Sequence, residues 1–168
     1  RPYPGSHFVS FKSDTIIDAP LHSIVAMAMD FDSYLEWIHR ALEVKILDHP
    51  AKNSIVYYMA MDSPWPVSDR DTVNTVTFSQ DPITKIVTFV YELKPGSYPN
   101  IEGFIRIPAN WGEWTLIPLK DGRVRSIRQG HGEPGGWLPA WMVNWAADIV
   151  MLQSEAKLKQ HVQQEKYR

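Results

Sequence analysis

Few polar side chains in this sequence lie where they could do chemistry, and those that do are surrounded by apolar residues. Strand alternation places Thr72 and Asn74 on one face of a predicted strand. Tyr57 and Tyr91, on neighbouring strands, are expected to add their hydroxyls to that face. An apolar face with a few polar groups is typical of a small-molecule site, and it is equally typical of a packed core, so both interpretations stay open. The predicted wall consists of Tyr57, Met59, Met61, Thr72, Asn74, Val76, Phe78, Val87, Phe89 and Tyr91.

The elements that position this wall are strands separated by turns, with two short helices after the first strand and a long helix at the end. Short turns imply antiparallel neighbours, because parallel strands need a long crossover. We therefore predict an α+β fold, in which a twisted antiparallel sheet has one apolar face covered by a C-terminal helix. The predicted strands are Phe8 to Ile17, Leu42 to Leu47, Ser54 to Met61, Arg70 to Ser79, Lys85 to Leu93, Phe104 to Pro108, Trp111 to Leu119 and Val124 to His131. The short helices are expected after Pro20 and from about Asp32 to His39.

Turn chemistry also predicts how the strands pair. If the turn at Asp81 closes a loop of about four residues, Val76 lies opposite Val87 and Asn74 opposite Phe89.

The hairpin formed by the last two strands leaves its inward face undecided. Either Thr115 or Trp114, each with its alternate neighbours, points inward. Glu113 and Arg128 are expected on one face, as a buried polar pair or as a salt bridge at the rim.

Other motifs give no support for a cofactor, a metal or a nucleophile. Gly130, Gly132 and Gly135 form G-x-G-x-x-G between a strand and a helix, but Pro134 interrupts the motif and no second strand follows. We expect a glycine-rich bend there. The six histidines lack ligand spacing, and the sequence contains neither cysteine nor a G-x-S-x-G motif. No cofactor, metal site or catalytic residue is therefore predicted.

Composition limits the partners. A net charge of -2 and a pI near 6.3 provide no positive field, so nucleic acid is not an expected partner. Seven Trp, seven Tyr and six Phe indicate a large apolar interior or a lined pocket. No apolar run reaches the ~20 residues of a membrane span, so a soluble monomer of one domain, residues 1–168, is expected. The start at Arg1, without Met or an apolar signal segment, indicates a trimmed product and leaves the compartment undetermined.

Two elements carry a family resemblance. "PWPVSDRDTV", from Pro64 to Val73, contains P-x-P-x-S-x-R-D, and "PGGWLPAWMVNWAA", from Pro134 to Ala147, contains P-G-G-x-x-P-x-W-x-x-N-W-A-A. Both resemble the StAR-related lipid transfer (START) domain, and the C-terminal segment is particularly similar to its phosphatidylcholine-transfer branch. The resemblance spans about Phe8 to Val162. It implies a helix-grip fold, in which a curved antiparallel sheet wraps around the long C-terminal helix and encloses a tunnel for one lipid.

The same resemblance assigns roles to two further segments. The loop from Lys94 to Gly103 corresponds to the one that gates the tunnel with the terminal helix. That helix is apolar almost all round between Trp137 and Leu152. Trp141 is expected to pack under neighbouring loops and Asp148 to face solvent. The side chains expected to press toward the sheet and the ligand are Met142, Trp145, Ile149 and Leu152.

The sequence departs from the family pattern at two charged positions. In sterol- and phosphatidylcholine-binding members, an arginine six residues beyond the one equivalent to Arg70 enters the cavity, and Val76 stands there in this chain. Tyr57 stands at the position of the acidic partner found in sterol-binding members. Burying a lone charge is costly, and here both charges are absent together. The departure favours a less polar ligand, or one anchored by tyrosine hydroxyls or Asn74.

These observations predict a non-enzymatic protein that binds and transfers a lipid or other long apolar ligand, with transient membrane contact. The alternative is an enzyme of the aromatase/cyclase type, which shares the helix-grip architecture. Its candidate groups are Tyr57, Tyr91 and Asn74, with Glu113 and Arg128 as a further pair. A third interpretation is an interaction module whose cavity is vestigial.

Overall fold

One sheet organises the chain. The computed structural model describes residues 6–168, so the expectation of a trimmed start concerns a segment outside the described residues. In this part of the chain the sheet has eight strands, in the order β1-β8-β7-β5-β4-β3-β2, with β6 added beside β4. The strands are β1 (Phe11–Ile17), β2 (Ala41–Ala51), β3 (Ser54–Met61), β4 (Asp69–Gln80), β5 (Val87–Leu93), β6 (Phe104–Arg106), β7 (Ala109–Pro118) and β8 (Val124–Glu133).

Within residues 6–168, three α-helices complete the fold. They are α1 (Leu21–Met29), α2 (Tyr34–Trp37) and α3 (Ala140–His161), with 3-10 turns at Phe31–Ser33 and Glu165–Tyr167. The predicted α+β class is confirmed, with an antiparallel sheet, two short helices after β1 and a long C-terminal helix. β6, which lies parallel to β4, is the exception to the antiparallel pairing of the described strands.

The pairing of β4 with β5 differs from the prediction. Val76 lies opposite Tyr91 rather than Val87, and Asn74 lies opposite Leu93 rather than Phe89. Because the register is displaced by an even number of residues, every side chain keeps its face of the sheet.

A longer turn explains the displacement. β4 continues to Gln80, and the loop closes with a hydrogen bond from the Asp81 amide to the Ile86 carbonyl at 2.9 Å. The Asp81 carboxylate accepts hydrogen bonds from the amides of Ile83 and Thr84 at 2.9 and 2.7 Å. An aspartate that binds the backbone two and three residues on stabilises such a turn.

The sheet buries apolar residues on both faces. The inner face, which carries Tyr57, Val76 and Phe89, packs in one core with residues of α1, of α2 and of the second half of α3. The outer face of β3 and β4 carries a smaller cluster, formed by Val56, Tyr58, Ala60 and Val73 and covered by Tyr98, Ile101 and Phe104.

The hairpin of β7 and β8 turns its indole inward. Trp114 is 3% exposed and donates from Nε1 to the Ser126 hydroxyl at 2.8 Å, and it lies opposite Arg128. Glu113 precedes Trp114 and therefore points to the outer face, where Gln129 donates to its carboxylate at 3.3 Å. The prediction that Glu113 and Arg128 lie on one face and form a pair is wrong, because the two side chains lie on opposite faces of the sheet.

Helix α3 is buried only in its second half. Leu158 and Val162 are 0% and 1% exposed, and α3 contacts α2 and β1. From Ala140 to Gln153, in contrast, no side chain is fully buried. Within residues 6–168, no helix has the length and apolar content needed to cross a membrane.

Several expectations for the first half of α3 are therefore wrong. Trp145 and Leu152, expected to press toward the sheet, are 59% and 69% exposed, and Trp141 is 70% exposed rather than packed under loops. Met142 and Ile149 are half-buried, and Asp148 is exposed as expected. A segment that is apolar all round has no stripe to indicate which side packs, so helical periodicity carried no directional information here.

Candidate functional site

Strand pairing brings the predicted wall together on the inner face. Tyr57 lies opposite Asn74, and Met59 lies opposite Thr72. Across the next pair of strands, Phe78 lies opposite Phe89. The fully buried members of the wall are Tyr57, Thr72, Asn74, Val76, Val87 and Phe89, and the half-buried members are Met59, Met61, Phe78 and Tyr91.

The polar groups of the wall form a small network around Asn74. Its side-chain oxygen accepts from the Thr72 hydroxyl at 3.2 Å and from the Asn110 amide at 3.1 Å. Asn110 was missed by the sequence analysis, because it lies in a short segment before the predicted start of the strand. With both neighbours donating to it, the side-chain oxygen of Asn74 is satisfied within the protein.

Two tyrosines on this face stay protonated near neutral pH. Burial raises the pKa of Tyr57, with a smaller contribution from Tyr91. Burial also raises the pKa of Tyr91 to about 12, although the charge of Arg128 opposes this shift. Both hydroxyls can therefore donate hydrogen bonds to a ligand, but neither is available as a base.

Arg128 is a buried cation on the same face. It is 9% exposed, and its guanidinium carbon lies 4.2 Å from the ring centroid of Trp114 and 5.8 Å from that of Trp37. Its Nε and Nη2 atoms are buried without a hydrogen-bond partner. Burial lowers the pKa of Arg128, whereas Tyr91 and Glu155 oppose that shift. Buried cations normally have partners, which makes this side chain the least satisfied group of the site.

A second arginine joins the loops at one end of the sheet. Arg70 is 6% exposed and donates to the carbonyl oxygens of Pro134 and Gly135 at 3.2 and 3.3 Å, and also to that of Ser68. It thereby connects the loop before β4 to the turn that leads into α3.

That turn is the bend predicted from the glycines. Gly135 and Gly136 have φ values of 69° and 67°, in the left-handed region that favours glycine. A Cβ atom on Gly135 would lie 3.1 Å from the Ile105 side chain and 3.2 Å from that of Pro108. The bend therefore packs closely on the segment between β6 and β7.

The loop from Lys94 to Gly103 lies mainly on the outer face. The ring of Tyr98 lies 4.7 Å from that of Tyr58. Arg106 donates to the carbonyls of Tyr98 and Pro99 at 3.1 and 2.9 Å, and binds both oxygens of buried Asp71 at 2.8 and 2.9 Å. A cavity of about 460 Å³ lies beside this loop and is lined by Val73, Tyr98 and Pro108 among others. The loop expected to gate the tunnel is thus held on β3 and β4 by packing and by an ion pair.

Exposed indoles lie near the same end of the sheet. Trp65, in the loop before β4, is 92% exposed, and Trp137, after the Gly135–Gly136 bend, is 89% exposed. Arg70 connects the loop that carries Trp65 to the bend that precedes Trp137, and Trp141, in the first turn of α3, is 70% exposed.

Comparison with known proteins identifies the family. A model of the START domain matches residues 4–168. The chain belongs to the START domain family. The resemblance predicted from the sequence is confirmed, and with it the helix-grip fold of a curved sheet and a C-terminal helix.

Relatives of this START domain include proteins with and without a described role. An uncharacterized protein of Pseudomonas aeruginosa is 34% identical over 142 residues, covering 83% of this chain and 68% of that protein. The phosphatidylcholine transfer protein of Mus musculus is 26% identical over 124 residues, covering 71% of this chain and 56% of the mouse protein. The match with this chain therefore spans little more than half of the length of the mouse protein.

Solved structures show the same fold. A STAR-related lipid transfer protein fragment from Xanthomonas axonopodis aligns with a TM-score of 0.88 at 28% identity, covering 98% of this chain and 91% of that one. The Zhui aromatase/cyclase from a Streptomyces species aligns with a TM-score of 0.58 at 14% identity, covering 93% and 92% of the two chains. The latter likeness shows a shared fold alone.

Proposed function

We propose that this START domain binds a lipid or other long apolar ligand between the inner face of the sheet and the first half of α3, and transfers it without a chemical step. The observation that carries the proposal is the incomplete packing of the first half of α3, which is apolar almost all round yet has no fully buried side chain. Several wall residues of the sheet, including Met59 and Phe78, are likewise only half-buried. Two incompletely packed apolar surfaces in one fold are suited to an apolar ligand.

Burial of the ligand supplies the binding energy. At ~25 cal/mol per Å², a lipid that removes several hundred Å² of apolar surface from water gains on the order of several kcal/mol before any polar contact.

The proposed gate lies between α3 and the loop from Lys94 to Gly103, with α3 as its moving side. The Arg106–Asp71 ion pair and the Tyr98–Tyr58 contact hold the loop on the sheet. The first half of α3 follows two glycines and lacks a buried anchor, whereas Leu158 and Val162 hold its second half. Segments with few buried contacts are the ones that open at low cost.

Membrane contact is proposed at the exposed indoles Trp65, Trp137 and Trp141. Tryptophan favours the membrane–water interface, where its ring is partly buried and its N–H stays hydrated. Since the net charge is -2, the domain as a whole has no positive field for anionic lipid, and insertion of indoles rather than charge is the expected mode of contact. Opening of α3 at this surface would place the site beside the bilayer.

The structure gives the cyclase alternative less support than the sequence did. Glu113 faces away from Arg128, and the raised pKa values of Tyr57 and Tyr91 keep both tyrosines protonated. Among the residues considered for catalysis, no base therefore accompanies the tyrosines on the inner face.

Native mass spectrometry of the purified protein after exposure to a mixed lipid extract tests the binding step. We expect one lipid per chain, and transfer of a fluorescent lipid between vesicles in a parallel assay. Met59→Arg places a charge on the inner wall and should lower both signals, because an apolar ligand cannot solvate it. Val90→Arg, on the partly exposed outer side of β5, is the matched control and should leave both unchanged. Absence of bound lipid in the wild-type protein, without thermal protection by any lipid, would refute the proposal.

A further inference from the structure

Four buried polar atoms near Arg128 have no hydrogen-bond partner. They are Nε and Nη2 of Arg128, Nε1 of Trp37 and the hydroxyl of Ser13. All four can donate a hydrogen bond, and three of them can only donate. Burial of an unsatisfied donor is costly, so a group of them in one place needs an explanation.

The residues that carry these donors lie close together on the inner side of the sheet. Ser13 lies directly opposite Arg128 in the pairing of β1 with β8, so the two side chains share a face. The Arg128 guanidinium lies 5.8 Å from the ring centroid of Trp37, and the Trp37 and Trp114 centroids are 6.5 Å apart. β1 and α2 thus each place a residue with an unsatisfied donor around Arg128 of β8.

The free edge of Arg128 has the geometry that binds a carboxylate. In the same protein, Nε and Nη2 of Arg106 bind the two oxygens of Asp71 at 2.8 and 2.9 Å. The same two atoms of Arg125 bind the two oxygens of Asp14 at 2.8 and 2.5 Å. Arg128 presents this edge with no acceptor on it. A planar fork of two donors matches a group with two acceptor oxygens better than a single carbonyl.

The nearby carboxylate does not occupy that edge. Glu155 of α3 influences Arg128 through its charge, but it accepts a hydrogen bond from the Thr15 hydroxyl and lies 3.7 Å from the Lys159 ammonium. Glu155 is thus engaged by other donors, while the two Arg128 nitrogens lack an acceptor.

We infer that the ligand of this START domain ends in an anionic group with two acceptor oxygens, a carboxylate or a phosphate, and that Arg128 binds this group together with Ser13 and Trp37. The inference rests on the proposed function and specifies its ligand class. It also revises the expectation of a less polar ligand, because the cation that Val76 does not provide is supplied from β8 instead.

Binding measured by titration calorimetry tests the inference with four probes: hexadecanoate, hexadecyl phosphate, hexadecanol and inorganic phosphate. The wild-type protein should bind at least one of the two long-chain anions more tightly than hexadecanol, and the preferred anion identifies the headgroup. Arg128→Met should weaken binding of that anion roughly 10- to 100-fold and leave hexadecanol unchanged, because a charge-assisted pair of hydrogen bonds is lost. The control Arg125→Met, on the outer face of the same strand, should change neither the affinity for the anion nor that for hexadecanol.

A second variant keeps the inference testable if Arg128→Met fails to fold. Arg128→Lys retains the charge but not the fork, so it should bind the anion with intermediate affinity.

The outcomes separate this inference from the proposed function. Equal affinity of the wild-type protein for hexadecanol and both anions, or an equal loss of all three in Arg128→Met, would refute the inference and leave lipid binding intact. Failure of every long-chain probe to bind would refute the proposed function. If the protein bound inorganic phosphate but none of the long-chain probes, Arg128 would still be an anion site, but the claim that its ligand is a lipid would be refuted.

Discussion

Replacing Arg106 with Met should destabilise the protein and release the loop from Lys94 to Gly103. The Arg106–Asp71 pair is bidentate, and the side chain of Asp71 is 1% exposed whereas that of Arg106 is 22% exposed. Removing the cation leaves a buried carboxylate with one partner fewer. Loss of one partner of a fully buried pair costs about 3–5 kcal/mol, and the partial exposure of Arg106 places the expected loss at about 2–4 kcal/mol.

Urea unfolding at neutral pH measures this loss, and hydrogen exchange of the amides from residue 94 to 103 measures release of the loop. In a chain of this size, the midpoint temperature of thermal unfolding should fall by about 2–4 °C for each kcal/mol of stability that is lost. The double variant Asp71→Asn with Arg106→Met should recover part of the loss, because no buried charge then lacks its partner. Arg125→Met is the matched control, since Arg125 binds both oxygens of Asp14 in the same way but the two side chains are 49% and 39% exposed.

A loss of less than about 1 kcal/mol for Arg106→Met, the usual limit for an exposed pair, would contradict the stabilising role of this ion pair. Exchange across the loop that stays as slow as in the wild-type protein while stability falls would show that the ion pair does not hold the loop.

Three further predictions concern α3 and its surroundings. Leu158→Ala, at a fully buried position, should lower the free energy of unfolding in urea by about 2–5 kcal/mol. Leu152→Ala, at a position 69% exposed, should change it by less than about 0.5 kcal/mol. Similar losses in the two variants would contradict the observation that only the second half of α3 is fully packed. Burial lowers the pKa of His161 below its usual 6.5, so the folded state favours the neutral ring. The stability that this contributes should be fully present above about pH 6.5 and should decline as the pH falls below that value. Thermal unfolding measured at several pH values should show a smaller decline in His161→Gln. Trp137→Ser should weaken binding to phosphatidylcholine vesicles in a sedimentation assay. The control Ile83→Ser removes a similarly exposed apolar side chain from the β4–β5 loop and should leave vesicle binding unchanged. Equal effects of the two variants would count against a specific membrane-contact surface.

The faces of the central strands could be predicted from the sequence because alternation depends only on local geometry. Tyr57, Asn74 and Phe89 lie on one face as expected, although the β4–β5 register was displaced. The displacement came from the Asp81 turn, whose length is decided by side-chain to backbone hydrogen bonds that the strand pattern does not report.

The partners of charged residues could not be predicted in the same way. Arg70, Arg106 and Arg128 all lie within strands, yet Arg70 binds loop carbonyls, Arg106 binds a buried aspartate and Arg128 has two unpaired nitrogens. Which acceptor each arginine meets depends on residues as many as 65 positions away. Pairing patterns along one strand contain no such information.

Local sequence signals were sufficient to predict the class of fold, the family and the inward face of the wall, because hydrophobic alternation, turn residues and the P-G-G and R-D motifs each depend on nearby residues. The incomplete packing of the first half of α3, next to a second half anchored by Leu158, could be seen in the folded structure alone, as could the missing acceptor of Arg128. The physical reason is that burial and hydrogen-bond satisfaction are properties of the whole arrangement, since both depend on which distant segments meet.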